Sequence, residues 1–234
     1  MKINVIAFDA DDTLWHNEWV YQETKKELQN LLAPQFDPKQ VADKIDEVEI
    51  GNLAYYGYGI KSFVLSLIEA ALELTGGNIR GDELMHIVSY GKKMLKSDVP
   101  LFDDVHETLG TLAGSFDLML ITKGENFEQQ RKIRRSDLAA YFKYIEVVGE
   151  KSSQTYREIL RKFRIRPEEF LMVGNSLRSD ILPVLEIGAE AVFIPYESTW
   201  FHENDIDSDR LNRDYYEIEN LSQLPALITQ LNSE

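Results

Sequence analysis

The chain contains no cysteine, which excludes disulfides, thiolate zinc sites and cysteine nucleophiles together. A reducing, cytoplasmic home is expected on that ground. No run of 18 apolar residues occurs, so a membrane-spanning helix is not expected. The opening MKINVIAF gives way at once to Asp9, Asp11 and Asp12, too soon for the apolar segment of a secretory signal. Positive charge is scarce: 25 Lys and Arg stand against 40 Asp and Glu, a formal charge of −15. That balance opposes non-specific binding to nucleic acid or anionic lipid, so neither is expected as a partner. The one basic cluster, Arg131, Lys132, Arg134 and Arg135, reads as a solvated helix face. Gly57-Tyr58-Gly59 lacks the third glycine of a dinucleotide fingerprint. Internal repeats and low-complexity segments are absent too.

What is present is an ordinary globular composition, 44% hydrophobic and 28% charged over 234 residues, enough for one large domain or two small ones. Residues 3–8 form a nearly unbroken apolar run, as expected of a strand buried on both faces of a parallel sheet. Similar runs recur at 118–122, 144–148, 170–174 and 191–194, with helix-like stretches at 127–138 and 154–163. Strands alternating with helices predict right-handed βαβ units in a doubly wound, Rossmann-like α/β sheet. Between the first two strands the pattern is helical instead, at 20–32, 38–50, 60–74 and 82–96. An inserted all-helical domain over 17–97 is therefore expected, with 1–16 and 98–234 forming the core.

Ligands in open α/β sheets bind beyond the carboxyl ends of the strands. Those ends carry Asp9, Asp11, Asp12 and Thr13; then Thr122-Lys123-Gly124; then Lys151; then Asn175, followed by Asp180. Residues two apart in extended chain point the same way, so Asp9 and Asp11 are expected to crowd one small volume. Paired hard oxygen ligands suit Mg²⁺. A carboxylate can also attack phosphorus to give an aspartyl-phosphate, with a neighbouring acid protonating the leaving oxygen and then activating water. Thr122 offers a hydroxyl to phosphoryl oxygens, and Lys151 a fixed positive charge. Taken singly, each of these residues is as readily a cap, a turn residue or a surface lysine; their joint occurrence at successive strand ends favours a site.

These motifs resemble the haloacid dehalogenase superfamily, in its phosphatase branch. VIAFDADDTL resembles its Asp-x-Asp-x-Thr motif, LMLITKG the strand ending in Thr, Lys151 the lysine, and FLMVGNSLRSD the Gly-Asp motif with a further acid. The resemblance implies Asp9 as nucleophile and Asp11 as general acid/base, with Thr122 and Lys151 holding the phosphoryl group. It further implies loop N–H donors around Asp12, Lys123 and Gly124, and Mg²⁺ on Asp9, the Asp11 carbonyl, Asn175 and Asp180. The helical insertion resembles that family's C1-type cap. The sequence departs from the pattern where Asp12 replaces a glycine, Ser152 a proline, and Asn175 the usual metal-binding Asp. The implied activity is Mg²⁺-dependent hydrolysis of a small phosphomonoester, such as a sugar phosphate, phosphoglycolate or nucleoside monophosphate. A phosphomutase and a silent phospho-ligand-binding protein stand as alternatives; Asp11 argues against a dehalogenase, whose halide leaves without a proton. Tyr55-Tyr56-Gly57-Tyr58-Gly59 reads equally as a flexible, aromatic turn that closes over the site and as core packing. Trp15 and His16 fall in the hinge, where they line the entrance or, for His16, make an ordinary loop hydrogen bond, and Trp200 and His202 follow the last strand toward the same opening.

Overall fold

A computed structural model of the chain describes residues 3–204 and 214–233. The chain divides into two compact units, Met1–Glu18 with Val99–Glu234, and Trp19–Asp98. After β1 (Val5–Phe8) come the helices α1 (Glu18–Leu32), α2 (Pro38–Tyr56), α3 (Ile60–Leu74) and α4 (Gly81–Lys96). The rest follows as α5 (Val105–Ala113), β2 (Asp117–Lys123), α6 (Asn126–Arg135), β3 (Tyr144–Val148), α7 (Ser153–Phe163) and β4 (Phe170–Gly174). It closes with α8 (Leu182–Leu185), β5 (Glu190–Phe193), α9 (Phe201–Asn204), β6 (Tyr216–Glu217) and α10 (Leu224–Leu231).

The strands form one parallel sheet in the order β3-β2-β1-β4-β5-β6. This is the doubly wound α/β architecture expected from the sequence. β1 is central, with Val5 opposite both Asp117 and Phe170, and all four of its residues are buried. That double burial is why VIAF is uniformly apolar. Ile6 and Phe8 join a core built on α5, α6 and α10, whereas Val5 and Ala7 face a second core built on α7 and α8. Alternate side chains of one strand thus bind two helix layers, and each large one contributes roughly 1.5–3 kcal/mol by leaving water.

The helical unit has its own core. Leu28 and Leu32 of α1, Val41 and Ile45 of α2, Phe63 and Leu67 of α3, and Ile87 and Met94 of α4 pack together. Asp37 starts α2 by accepting from the Lys39 N–H, with Pro38 in its first turn. The helix then runs past residue 50, where the sequence pattern ended it, and stops only at Gly57, φ 67°. Tyr55 and Tyr56 are consequently exposed on the last turn of a helix rather than in a flexible loop. The segments leading into and out of this unit are tied to each other within the first. The Phe102 N–H donates to the Leu14 carbonyl at 3.1 Å, and the His16 N–H to that of Pro100 at 2.9 Å, around an antiparallel bridge from Trp15 to Leu101.

Candidate active site

In this strand order the connections leave β1 and β4 in opposite directions, so the crevice beyond their carboxyl ends is the topological switch point. β1 delivers Asp9 there and β4 delivers Asn175. Asp9 is buried, its N–H donating to the Val173 carbonyl of β4 at 2.9 Å. Lys151, 3% exposed, donates to Asp9 Oδ1 at 2.5 Å and to Asp180 Oδ1 at 2.6 Å. One ammonium therefore serves two buried carboxylates, and the trio carries a net negative charge. Burial pushes Asp9 up to about 7; Lys151 pulls it down and Asp180 raises it further. Burial alone would lower Lys151, but Asp180 and Asp9 together raise it above its ordinary value, so it stays charged.

Asp180 reaches this position through a π-helical turn at Leu177–Ile181, which Ser176 caps by accepting from the Ser179 N–H. Its Oδ2 accepts from the Ser176 N–H at 3.1 Å. Gly174 makes room for it, since a Cβ there would lie 2.3 Å from Asp180 Oδ2. Each oxygen of Asp180 thus has one donor within the protein, and the carboxylate braces Lys151.

The Thr13 hydroxyl lies 3.1 Å from Asp9 Oδ2 and 3.3 Å from Asn175 Oδ1. Three oxygens meet around one hydroxyl proton, an arrangement that is electron-rich and short of donors. The Asn175 amide is oriented by donating to Thr199 Oγ1 at 3.0 Å. Among the described residues no group of three or more His, Cys, Asp or Glu is placed to hold a metal ion. The donor set nevertheless fits Mg²⁺, which takes one or two protein carboxylates and keeps several waters. Asp9 and Asn175 supply hard oxygens, and the buried excess of negative charge calls for a cation.

Thr122, at the end of β2, is fully buried. Its hydroxyl has no hydrogen-bond partner among the described residues, an orphan of the kind that awaits a ligand. Asp11 lies near enough to Asp9 for its charge to raise that carboxyl further. β1 ends at Phe8, and residues 10–15 fold into a tight turn in which the Thr13, Leu14 and Trp15 N–H groups converge on the Ala10 carbonyl. The alternation of extended chain does not continue through Asp11, and its carboxylate also meets α6. There it accepts from Trp15 Nε1 at 2.6 Å, Gln129 Nε2 at 2.8 Å and Lys132 Nζ at 3.0 Å.

Asp12 has φ 63°, a left-handed conformation that explains the usual glycine and that Asp tolerates. Its carboxylate accepts from the Asn17 and Glu18 N–H groups, and its own N–H donates to the Trp15 carbonyl. Burial raises it to about 7, those two N–H bonds lowering it only in part. Asp12 thus builds the turn and the start of α1. The Gly124 N–H is likewise spent on the Val148 carbonyl. The Lys123 ammonium is held by Ser179 Oγ at 2.8 Å and Glu203 Oε1 at 2.7 Å.

Sequence reasoning missed Glu203 and misread Lys132. Glu203 accepts from Lys123 and from the hydroxyls of Ser176 and Ser179; burial opposes its charge, yet Lys123 and these donors hold it at about 2. Nothing in the sequence marked it. Lys132 belongs to the basic cluster assigned to solvent, yet its side chain is only 14% exposed. Its spacing from Gln129, one helical turn, was the available signal. Trp15 is buried in the core rather than lining an entrance, and His16 packs on Phe102, ring centroids 3.8 Å apart. The rings of Trp200 and His202 pack on each other, centroids 4.9 Å apart.

A doubly wound parallel sheet with a carboxylate–lysine–carboxylate array at its switch point defines a class, the α/β enzymes that work at their strand ends. Within it, the chain belongs to the haloacid dehalogenase-like hydrolase family, whose sequence pattern matches residues 3–188. It is 29% identical over 248 residues to glyceraldehyde 3-phosphate phosphatase of Pyrococcus furiosus, covering 100% of this chain and 95% of that protein. It is 25% identical to the 5-amino-6-(5-phospho-D-ribitylamino)uracil phosphatase YigB of Escherichia coli, covering 97% of each. A haloacid dehalogenase-like family hydrolase from Xanthomonas campestris superposes with a TM-score of 0.86 at 36% identity, over 99% of this chain and 92% of that one.

Proposed function

We propose that the protein is a Mg²⁺-dependent phosphatase that hydrolyses a small phosphomonoester through an aspartyl-phosphate on Asp9, with Trp19–Asp98 as its cap domain. The observation that carries this reading is Asp9 itself. It is a buried carboxylate at the switch point, braced by a lysine it must share, and the strand paired with β1 carries the orphan Thr122 hydroxyl near its end. Two full-length relatives with phosphatase names support it.

A carboxylate oxygen of Asp9 attacks phosphorus. The ester P–O bond breaks, and its electron pair leaves on the alcohol oxygen, which takes a proton from Asp11. Water then attacks the phosphorus of the aspartyl-phosphate and gives a proton to Asp11. The bond from Asp9 to phosphorus breaks, freeing inorganic phosphate and restoring the carboxylate. Lys151 and the Thr122 hydroxyl steady charge on the phosphoryl oxygens throughout. Asp9 and Asn175 would hold Mg²⁺, which when bound offsets the charge of the carboxylate and the phosphate dianion.

The test is Mg²⁺-dependent phosphate release from a panel of small phosphomonoesters, with Asp9→Asn alongside. Loss of turnover in a variant that stays folded is expected. Wild-type turnover by Asp9→Asn would remove Asp9 from the nucleophile's role.

A further inference from the structure

We infer that Lys132, with Gln129 and Trp15, forms a built clamp that orients Asp11 for proton transfer, Lys132 acting as its pivot. The inference rests on Asp11 being the acid/base of the reaction proposed above.

A carboxylate offers about four acceptor sites, and all four are engaged here. Oδ1 accepts from Trp15 Nε1 at 2.6 Å and from Lys132; Oδ2 accepts from Gln129 Nε2 at 2.8 Å and from Lys132. Lys132 lies 3.0 Å from each oxygen, on the bisector of the carboxylate. From there it keeps its contact if Trp15 or Gln129 gives way, which frees an oxygen of Asp11 to take up a proton and pass it to the ester oxygen.

The clamp is itself pinned. Trp15 is 1% exposed and follows Asp11 by one turn of the loop. Gln129 also donates to the Lys123 carbonyl at 2.8 Å, and Gly124 packs so close that a Cβ there would lie 2.9 Å from Gln129 Nε2. Lys132 donates to Asn17 Oδ1 at 2.7 Å and pairs with the buried Glu128 at 3.4 Å. These contacts hold the three donors in place. A surface helix needs none of them, and a proton donor that must meet a leaving oxygen within a few tenths of an ångström needs them all.

None of the three touches the scissile bond, so they are positioning residues and their signature is kinetic. Proton donation matters for a poor leaving group, such as an alkoxide, and little for p-nitrophenolate. Lys132→Met is therefore expected to lower kcat on an alkyl phosphomonoester by roughly tenfold to a hundredfold, a fraction of what acid–base catalysis contributes. KM should change little, and the loss on p-nitrophenyl phosphate should be no more than a few-fold. Gln129→Ala, which deletes one donor and leaves the charges intact, should show the same pattern more weakly and decides the matter if Lys132→Met does not fold. Lys132→Arg should recover part of the alkyl activity. Asp11→Asn is the reference. If it discriminates between the two substrates and the clamp variants do not, the clamp is structural and the inference fails alone. If Asp11→Asn itself loses equally on both, the acid/base role of Asp11 and the inference fall together.

Discussion

Replacing Thr122 with valine should make the protein more stable and less active at once. The side chain is wholly buried in β2, and its hydroxyl finds no partner among the described residues. A buried polar group left unpaired costs about 1–3 kcal/mol. Valine keeps the shape and removes that cost, so a gain of about 1 kcal/mol is expected. For a protein of this size that corresponds to roughly 2–4 °C in Tm. If the hydroxyl bonds a charged phosphoryl oxygen during the reaction, its loss removes about 1.5–3 kcal/mol from the transition state, or roughly tenfold to a hundredfold in kcat/KM. Thr122→Ser should do the reverse, keeping activity within a few-fold while losing about 1 kcal/mol of buried methyl. Differential scanning calorimetry and phosphate-release kinetics on the three proteins should rank the valine variant first in Tm and last in turnover. A valine variant that melts lower and turns over normally would refute the reasoning, because the hydroxyl would then have a structural partner.

Gly174→Ala places a Cβ 2.3 Å from Asp180 Oδ2, and Asp180 cannot yield without releasing Lys151. A loss of about 1–3 kcal/mol in urea denaturation and at least tenfold in kcat is expected; an unchanged denaturation midpoint would contradict the close packing. Asp9 and Asp12 are both raised to about 7 by burial, above the ordinary carboxylate value near 4. Their contribution to stability is thus full below pH ~4 and is lost as pH rises through about 7. In the presence of a chelator, Tm should therefore fall between pH 5 and pH 8. Added Mg²⁺ should raise Tm more at pH 8, where no proton competes for Asp9; equal shifts at both pH values would exclude Asp9 as a ligand.

The strands were legible because burial on both faces leaves no room for polar residues. The runs at 118–122, 144–148 and 170–174 lie on observed strands to within a residue or two. β6, only Tyr216–Glu217, has no periodicity to read, and α5 and α10 went unread beside the stronger strand signals. Tyr55 and Tyr56 were taken for a turn because glycines follow them, yet a helix can carry exposed aromatics up to its last residue. At the site, Asp9, Thr122, Lys151 and Asn175 were visible because each sits at or just past a strand end, where side-chain position follows from the sheet. The hydrogen-bond partners of Asp11 were not legible, because it sits in a tight turn that overrides alternation. Glu203 acts through tertiary contacts from a late segment that no local pattern encodes, and Lys132 and Gln129 left only their one-turn spacing on α6 as a sign.

The pairing of residues 14–16 with 100–102 has a consequence for engineering. Closing a loop of about 80 residues rather than a handful costs only about 2–3 kcal/mol, since the entropy grows with the logarithm of length. The backbone ladder at the base meets part of that within the sheet unit. The insertion is therefore a graft on a preformed hairpin stem. Swapping it for another helical bundle, or for a short turn, would leave the stem's own hydrogen bonds in place and the central strand still seated between its neighbours.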